Sequence, residues 1–205
     1  MRSDELPQSV RRYVRRALPN QDRLPTLVRF TQRGEMQLRP GRWRPFQATQ
    51  EARVDRVEFA WHARFSLASL IGIRVRDWYR DGDGGLEARL LGLIPVARAA
   101  GPETARSEAM RYLAELPWFP HAILGNRELE WRELDANSVE VATKIGSAEA
   151  AVTLRFDEAG DVVGAVALDR PRQEGKQFIE RPWMGVFADY QELGGVRVPI
   201  RAEVS

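Results

Sequence analysis

Apolar and polar residues alternate along much of the chain, which is the pattern of half-buried antiparallel strands. The clearest example covers residues 57–65, whose apolar face consists of Val57, Phe59, Trp61, Ala63 and Phe65. Further alternating runs follow toward the C-terminal end, where turn-forming stretches such as DANS, GSAE and EAGD separate them. The pattern predicts about ten strands, most of them joined by short turns.

Residues 5–18 show the three- and four-residue spacing of an amphipathic helix instead. The apolar side of this helix carries Leu6, Val10, Tyr13, Val14, Ala17 and Leu18. The opposite side carries four arginines, Arg11, Arg12, Arg15 and Arg16. This basic face predicts either a solvated surface of a helix packed on the core or contact with an anionic membrane or nucleic acid.

A second helix is predicted for GPETARSEAMRYLAEL, residues 101–116. Pro117 and Pro120 end it, because proline breaks a helix interior. Trp118 and Phe119 lie between the two prolines, which predicts a chain reversal held against the sheet by aromatic side chains. His121 follows directly and is expected to be exposed, at the point where the chain leaves this corner toward solvent.

Together these elements predict an α+β fold, built on one strongly curved antiparallel sheet that forms an open half-barrel of about ten strands. The N-terminal helix and the internal helix are expected to cover its concave face. The sequence DGDGG, residues 81–85, predicts a tight hairpin between two of the strands. No linker or internal repeat divides residues 1–205, which predicts a single domain.

Composition narrows the classes of function. The chain has no cysteine, which excludes disulfides, cysteine nucleophiles and zinc knuckles. It has no phosphate loop or dinucleotide fingerprint, and its two histidines lack metal-ligand spacing, so neither a cofactor nor a metal is predicted. The net charge of +2 is small and acidic residues are interspersed with the arginines, which argues against a nucleic-acid binder.

The sequence also shows neither a transmembrane helix nor a signal peptide for export. It has no run of about 18 apolar residues, the length that a transmembrane helix requires. Its first 20 residues lack the apolar centre of a signal peptide. The sequence therefore predicts a cytoplasmic protein, with peripheral membrane association through Arg11, Arg12, Arg15 and Arg16 as an alternative.

Several segments, taken in order, carry a resemblance to a known family. They are LPQSVRRYVRRAL, VRFTQRGEM, WRPFQATQ, FAWHARF, VRDWYRDGDGGLEARLLGLIPVARAAGPE, RYLAELPWFP, LEWREL and PWMGVFADYQELGGVRVPIRAEVS. They resemble an uncharacterised bacterial family, a domain of unknown function, over nearly the whole chain. Members of that family run on past the equivalent of AEVS into a further aromatic strand, so the resemblance implies truncation at the C-terminal end.

More loosely, the strand-rich layout is similar to the LolA/LolB lipoprotein-carrier fold. That fold is an open half-barrel with helices on its concave face, and it holds lipid or acyl chains in an apolar cavity. The resemblance implies a single LolA-like domain with such a cavity. The chain has neither a signal peptide nor a lipobox cysteine, so the resemblance does not extend to lipoprotein trafficking.

The candidate ligand-binding residues are an arginine–glutamate pair and four tryptophans. They are Trp61, Arg111, Glu115, Trp118, Trp131 and Trp183. Arg111 and Glu115 lie four apart on one helix face, which suits either an intrahelical ion pair or a polar anchor for a carboxylate or phosphate head group. The tryptophans suit either core packing or the apolar wall of a cavity.

The leading hypothesis is a carrier or sensor, without catalysis, for a hydrophobic or amphipathic small molecule of lipid or acyl type. A first alternative is an enzyme acting on such a ligand in the same cavity. It requires that one titratable side chain faces the cavity, from the set His62, Asp77, Glu115, His121 and Asp189. A second alternative is a membrane or partner interaction module that uses the basic N-terminal helix. The sequence contains no nucleophile motif, predicts no catalytic residue, and leaves the oligomeric state open.

Overall fold

The computed structural model describes residues 5–19, 23–68, 71–175 and 177–205. In this part of the chain, two six-stranded antiparallel sheets accompany three α-helices. The first sheet is a meander of β1 (Leu27–Arg39), β2 (Arg42–Arg53), β3 (Phe59–Ala68), β4 (Ile71–Arg80), β5 (Asp83–Leu90) and β6 (Ile94–Ala100). The second is a meander of β7 (Glu130–Asp135), β8 (Ser138–Ile145), β9 (Ala148–Phe156), β10 (Val162–Glu174), β11 (Gln177–Leu193) and β12 (Val196–Val204). The helices are α1 (Gln8–Ala17), α2 (Pro102–Ala114) and α3 (His121–Gly125).

The alternation in β3 is confirmed as the signature of a half-buried strand. Phe59, Trp61 and Phe65 are buried, whereas His62 and Arg64 are exposed. Successive side chains of a strand point to opposite faces, so β3 presents one apolar face to the core and one polar face outward. With the two antiparallel sheets and the helices, this confirms the α+β class.

The described residues form twelve strands in two sheets, which differs from the single sheet of about ten strands expected from the sequence. One reason is the turn between β5 and β6, which lies inside the apolar run LLGLIPV. Leu91 and Gly92 both have positive φ there, at 53° and 74°. The apolar character of this run hides the hairpin, whereas the predicted hairpin at Asp81 and Gly82 is confirmed by φ values of 51° and 82°.

Helix α1 packs its predicted apolar side against the second sheet. Val10 and Tyr13 are fully buried. The Tyr13 ring lies edge-on to Phe156 at 6.3 Å and to Tyr190 at 6.4 Å between ring centroids. Its hydroxyl donates to the Pro117 carbonyl at 3.2 Å, which ties α1 to the corner after α2. The apolar side predicted for this helix is therefore confirmed.

Helix α2 lies between the two sheets and contacts strands of both, with β4, β5 and β6 on one side and β8, β9 and β10 on the other. A 3-10 turn, Leu116–Trp118, follows it and leads into α3. Phe119 is fully buried and stacks on Phe30 of β1 at 6.4 Å, so the predicted aromatic corner is confirmed. The expected solvent exit at His121 is wrong, because His121 begins α3 and is buried.

Buried residues from both sheets and from all three helices form one continuous hydrophobic core. In the described ranges, no helix combines the length and apolar character that a membrane span would need.

Candidate functional site

Arg111 lies at the centre of a buried ion cluster between α2 and the first sheet. Its Nε donates to Glu115 Oε1 at 2.8 Å, one helical turn further along α2. Its Nη1 donates to Asp77 Oδ2 on β4 at 2.5 Å and lies 4.0 Å from Glu108 Oε2. One guanidinium therefore faces three carboxylates, in a position where its side chain is only 14% exposed.

Aromatic rings enclose the same guanidinium on the side of the sheet. The Arg111 Cζ atom lies 4.8 Å from the ring centroid of Trp61 and 5.2 Å from that of Phe59. The Trp61 indole N–H donates to Gln32 Oε1 at 2.7 Å, which fixes the orientation of the ring. Cation–π contacts strengthen when the cation is desolvated, so these rings help to hold Arg111 charged in the interior.

The carboxylates of the cluster outnumber its cations. Asp77, Glu108 and Glu115 face Arg111 and, more distantly, Arg170 of β10. Burial raises the pKa of Asp77, and burial together with the neighbouring carboxylates raises the pKa of Glu108 to about 7. Glu108 therefore carries a proton over much of the range in which other carboxyl groups are ionised.

Several acceptor oxygens of the cluster have no hydrogen-bond partner among the described residues. They are Asp77 Oδ1, Glu108 Oε2 and Gln50 Oε1. The amide nitrogen of Gln50 donates to Glu115 Oε2 at 2.5 Å, so only its oxygen is left over. A buried acceptor without a partner costs about 1–3 kcal/mol, so these atoms favour the approach of a donor from solvent or ligand.

A cavity of about 340 Å³ adjoins the cluster where the two sheets approach each other. Its polar side is formed by Thr104, Ser107 and Glu108 of α2 with Arg170 of β10. Its apolar side includes Leu86, Ala97, Ala99, Phe178 and Trp183, contributed by both sheets. Arg98, Arg172 and Arg181 also line it. An apolar wall with a few polar groups at one side is typical of small-molecule sites.

Arg170 forms the polar end of this cavity. Its Nε donates to Ser107 Oγ at 3.0 Å, and its guanidinium lies 5.0 Å from the ring centroid of Trp183. The Nη atoms of Arg170 have no hydrogen-bond partner in the part of the chain that the structure describes. A guanidinium held this way can still bind a carboxylate or phosphate through two parallel hydrogen bonds.

The structure brings some of the predicted ligand-binding residues together and separates others. Arg111, Glu115 and Trp61 meet in the ion cluster, and Trp183 lines the cavity beside it. Trp118 lies at the corner, where its indole N–H donates to the Pro199 carbonyl at 3.1 Å. Trp131 lies on β7, and its buried indole nitrogen has no partner within the described ranges. The binding role of all six stays a prediction.

Of the titratable side chains required by the enzyme alternative, none lines the 340 Å³ cavity. His121 is buried in α3, where desolvation lowers its pKa. His62 faces a separate groove on the outer side of the first sheet. Asp77 and Glu115 bind Arg111 in the ion cluster, and Asp189 lies on β11 at a φ of 58°. Among the aspartate, glutamate and histidine side chains that the structure describes, Glu108 is the one that lines the cavity.

Glu108 and Arg170 were not predicted from the sequence. Glu108 precedes Arg111 by three residues, so helical spacing places both on one side of α2, and that signal was present. Arg170 comes from the run LDRPRQ on a strand of the other sheet, and no spacing in the sequence relates it to α2. Only the packing of β10 against the helix brings Arg170 to the site.

The basic face of α1 is partly occupied by contacts within the protein. Arg16 lies 3.4 Å from Asp161 Oδ2, and Arg12 donates to the Asp157 carbonyl at 3.3 Å. Arg15 is exposed to solvent. Contact of this face with a membrane stays a prediction.

In the described residues, no group of three or more histidine, aspartate or glutamate side chains is arranged to hold a metal ion. Comparison with curated proteins and with solved structures yielded no match to the chain. A family model does match, over residues 2–205, and its description is a family of unknown function, DUF6544. The resemblance to a domain-of-unknown-function family is thereby confirmed, and the chain belongs to this family of unknown function.

Proposed function

We propose that this protein binds an amphipathic, acid-bearing small molecule of lipid or acyl type in the cavity between the two sheets. The observation that carries the proposal is that one cavity of about 340 Å³ combines Arg170 and Glu108 with the apolar side chains of Phe178 and Trp183. The acidic head group would bind the free Nη atoms of Arg170, and the hydrocarbon chain would lie along Phe178 and Leu86.

The charge state of Glu108 supports an acidic ligand. While Glu108 is protonated, it can donate a hydrogen bond to the head group and does not itself compete with the ligand for Arg170. Once Glu108 ionises near pH 7, it repels a ligand carboxylate. The proposal therefore expects weaker binding of a fatty acid at pH 8 than at pH 6, and little change for a neutral alcohol of equal chain length.

The proposal includes the half-barrel interpretation of the fold. In this interpretation, the two sheets are the two walls of one open half-barrel. Helix α2 lies on the inner side of the half-barrel, with the cavity beside it. The contacts of α2 with strands of both sheets support this interpretation. The similarity to LolA-like carriers, a single domain and a carrier role form part of the same proposal.

Isothermal titration calorimetry with dodecanoate tests the binding role. We expect saturable binding by the unaltered chain and its loss in Leu86→Trp and Ala97→Trp, which fill the cavity from two different strands. Leu193→Trp, at an exposed turn outside the cavity, is the matched control and should bind as the unaltered chain does. Native mass spectrometry of gently purified protein adds a direct readout of retained lipid. Absence of retained lipid together with absence of dodecanoate binding would contradict the proposal.

A second candidate function is catalysis on the bound molecule, favoured by the pKa of Glu108 near 7 inside the cavity. Glu108 would then act as a general acid or base. The test is to incubate dodecanoyl esters or thioesters with the unaltered chain and with Glu108→Gln. Mass spectrometry then identifies the remaining substrate and any product. Conversion that requires Glu108 would support catalysis, and intact substrate after incubation with both would exclude catalysis on these esters and thioesters.

A further inference from the structure

The outer face of the first sheet carries a second, larger concavity, a groove of about 920 Å³. We call it the arginine groove, because its lining includes Arg33, Arg64, Arg74, Arg76 and Arg89. The sheet separates it from the 340 Å³ cavity, and the two share no lining residue. It is therefore independent of the site described above.

The strand register aligns three of these arginines side by side. Arg64 on β3 is the direct partner of Arg74 on β4, and Arg74 is the direct partner of Arg89 on β5. Directly opposed residues of antiparallel strands have Cβ atoms about 4.5–5.5 Å apart, and like-charged side chains on such residues destabilise a sheet. The fold thus retains an arrangement that is unfavourable in the free protein.

The arginine groove concentrates positive charge beyond that of the chain as a whole. Its five arginines face one glutamate, Glu87, which leaves a formal excess of four charges, whereas the whole chain carries +2. Glu87 contacts Arg89 at 3.6 Å. No carboxylate of the described residues lies within 4.0 Å of Arg33, Arg64, Arg74 or Arg76. Intramolecular ion pairs therefore leave most of this charge uncompensated.

We propose that the arginine groove binds a small polyanion that carries two or more phosphate groups. Thr31, Thr49 and His62 line the same groove and add hydrogen-bond donors between the arginines. Arg76 is held over the Trp78 ring at 5.0 Å, which orders its guanidinium before a ligand arrives. The volume is that of a small-molecule site rather than of an extended macromolecular surface, and planar guanidinium groups suit phosphate oxygens.

Titration calorimetry with inorganic tripolyphosphate tests the proposal. We expect saturable binding that weakens steeply between 50 and 200 mM salt, because screening acts on exposed charges. Arg64→Gln/Arg74→Gln should weaken binding at least about tenfold, since charge-assisted hydrogen bonds are lost. If that variant does not fold, Arg76→Gln/Arg89→Gln serves the same purpose. The matched control is Arg15→Gln/Arg23→Gln, which removes equal charge from exposed positions outside the groove.

A stability measurement separates a ligand site from a structural role. Arg74→Gln relieves repulsion from Arg64 and Arg89, so the melting temperature without ligand should rise or stay constant, while the stabilisation by tripolyphosphate is lost. Equal loss of binding in the control variant would overturn the proposal. So would binding of single-stranded oligonucleotide or of phosphatidylglycerol vesicles through the groove with no binding of tripolyphosphate, because the ligand would then be a macromolecular surface.

Discussion

At the residue scale, the buried carboxyl of Glu108 couples the stability of the fold to pH. Burial raises its pKa from 4.5 to about 7, so between these values the native state holds a proton that the unfolded chain releases. The stabilisation of the fold by this proton is complete below about pH 4.5. It decreases as the pH rises toward 7 and is lost as the pH passes through 7. Asp77, whose pKa burial also raises, acts in the same direction.

We therefore expect the free energy of unfolding to fall by on the order of 3 kcal/mol between pH 5 and pH 8. Urea denaturation at pH 5, 6, 7 and 8 measures this slope. Glu108→Gln keeps the shape of the side chain without the titrating proton and should flatten the slope. Glu133→Gln, at an exposed position on β7, is the control and should leave it unchanged. A Glu108→Gln variant with the full slope would show that another group is responsible.

Arg111 is expected to be the most costly arginine to remove. Its loss would leave Asp77, Glu108 and Glu115 buried together without their central cation. Breaking a buried ion cluster from one side costs about 3–5 kcal/mol, so Arg111→Met should lower the free energy of unfolding by that amount. Chemical denaturation at pH 7 measures the loss.

Arg132→Met is the matched comparison for Arg111→Met. Arg132 pairs with Glu140 at 2.7 Å, but its side chain is 69% exposed. A surface ion pair contributes about 0–1 kcal/mol, so this change should have a small effect. Equal losses in the two variants would contradict the assignment of Arg111 as the centre of the cluster.

Adding Asp77→Asn to Arg111→Met should recover part of the stability, because it removes one uncompensated charge.

At the scale of elements, the turn between β5 and β6 places Leu91 in the left-handed region at a φ of 53°. This conformation is unfavourable for leucine and suits asparagine before glycine in a turn whose two central residues both have positive φ. We expect Leu91→Asn to raise the free energy of unfolding by about 0.5–1 kcal/mol. Thermal denaturation compares it with Leu93→Asn, which alters an exposed leucine without positive φ and should have no such effect. A stabilisation shared by both variants would reflect lost surface hydrophobicity instead.

Local patterns predicted most elements, and the exceptions have physical reasons. The alternation around Trp61, the amphipathic α1 and the turn at Asp81 and Gly82 are properties of consecutive residues, and the sequence displays them directly. The turn at Leu91 was missed because the apolar residues around its single glycine are typical of a strand. His121 was misplaced because a proline-rich corner resembles a surface loop, whereas Phe119 and Tyr13 pack this corner into the core.

At the scale of the whole molecule, the sites consist of residues that are distant in sequence. Arg111 and Glu115 were recognised as a pair because they lie on one helix, but Arg170 reaches the cavity from the other sheet. The arginine groove was missed because Arg64, Arg74 and Arg89 lie on three strands, and only the register aligns them. Five arginines that look evenly dispersed along the chain are therefore brought together in one groove.

The most direct test of the binding function is a crystal structure of the protein with 12-bromododecanoate, located through the anomalous scattering of bromine. Our proposal predicts a single strong bromine peak inside the cavity between the two sheets, with the ligand carboxylate within hydrogen-bond distance of the Arg170 guanidinium. The Leu86→Trp variant should show no such peak under the same conditions. Bromine found only outside the cavity, or a cavity without ligand at saturating concentration, would contradict it.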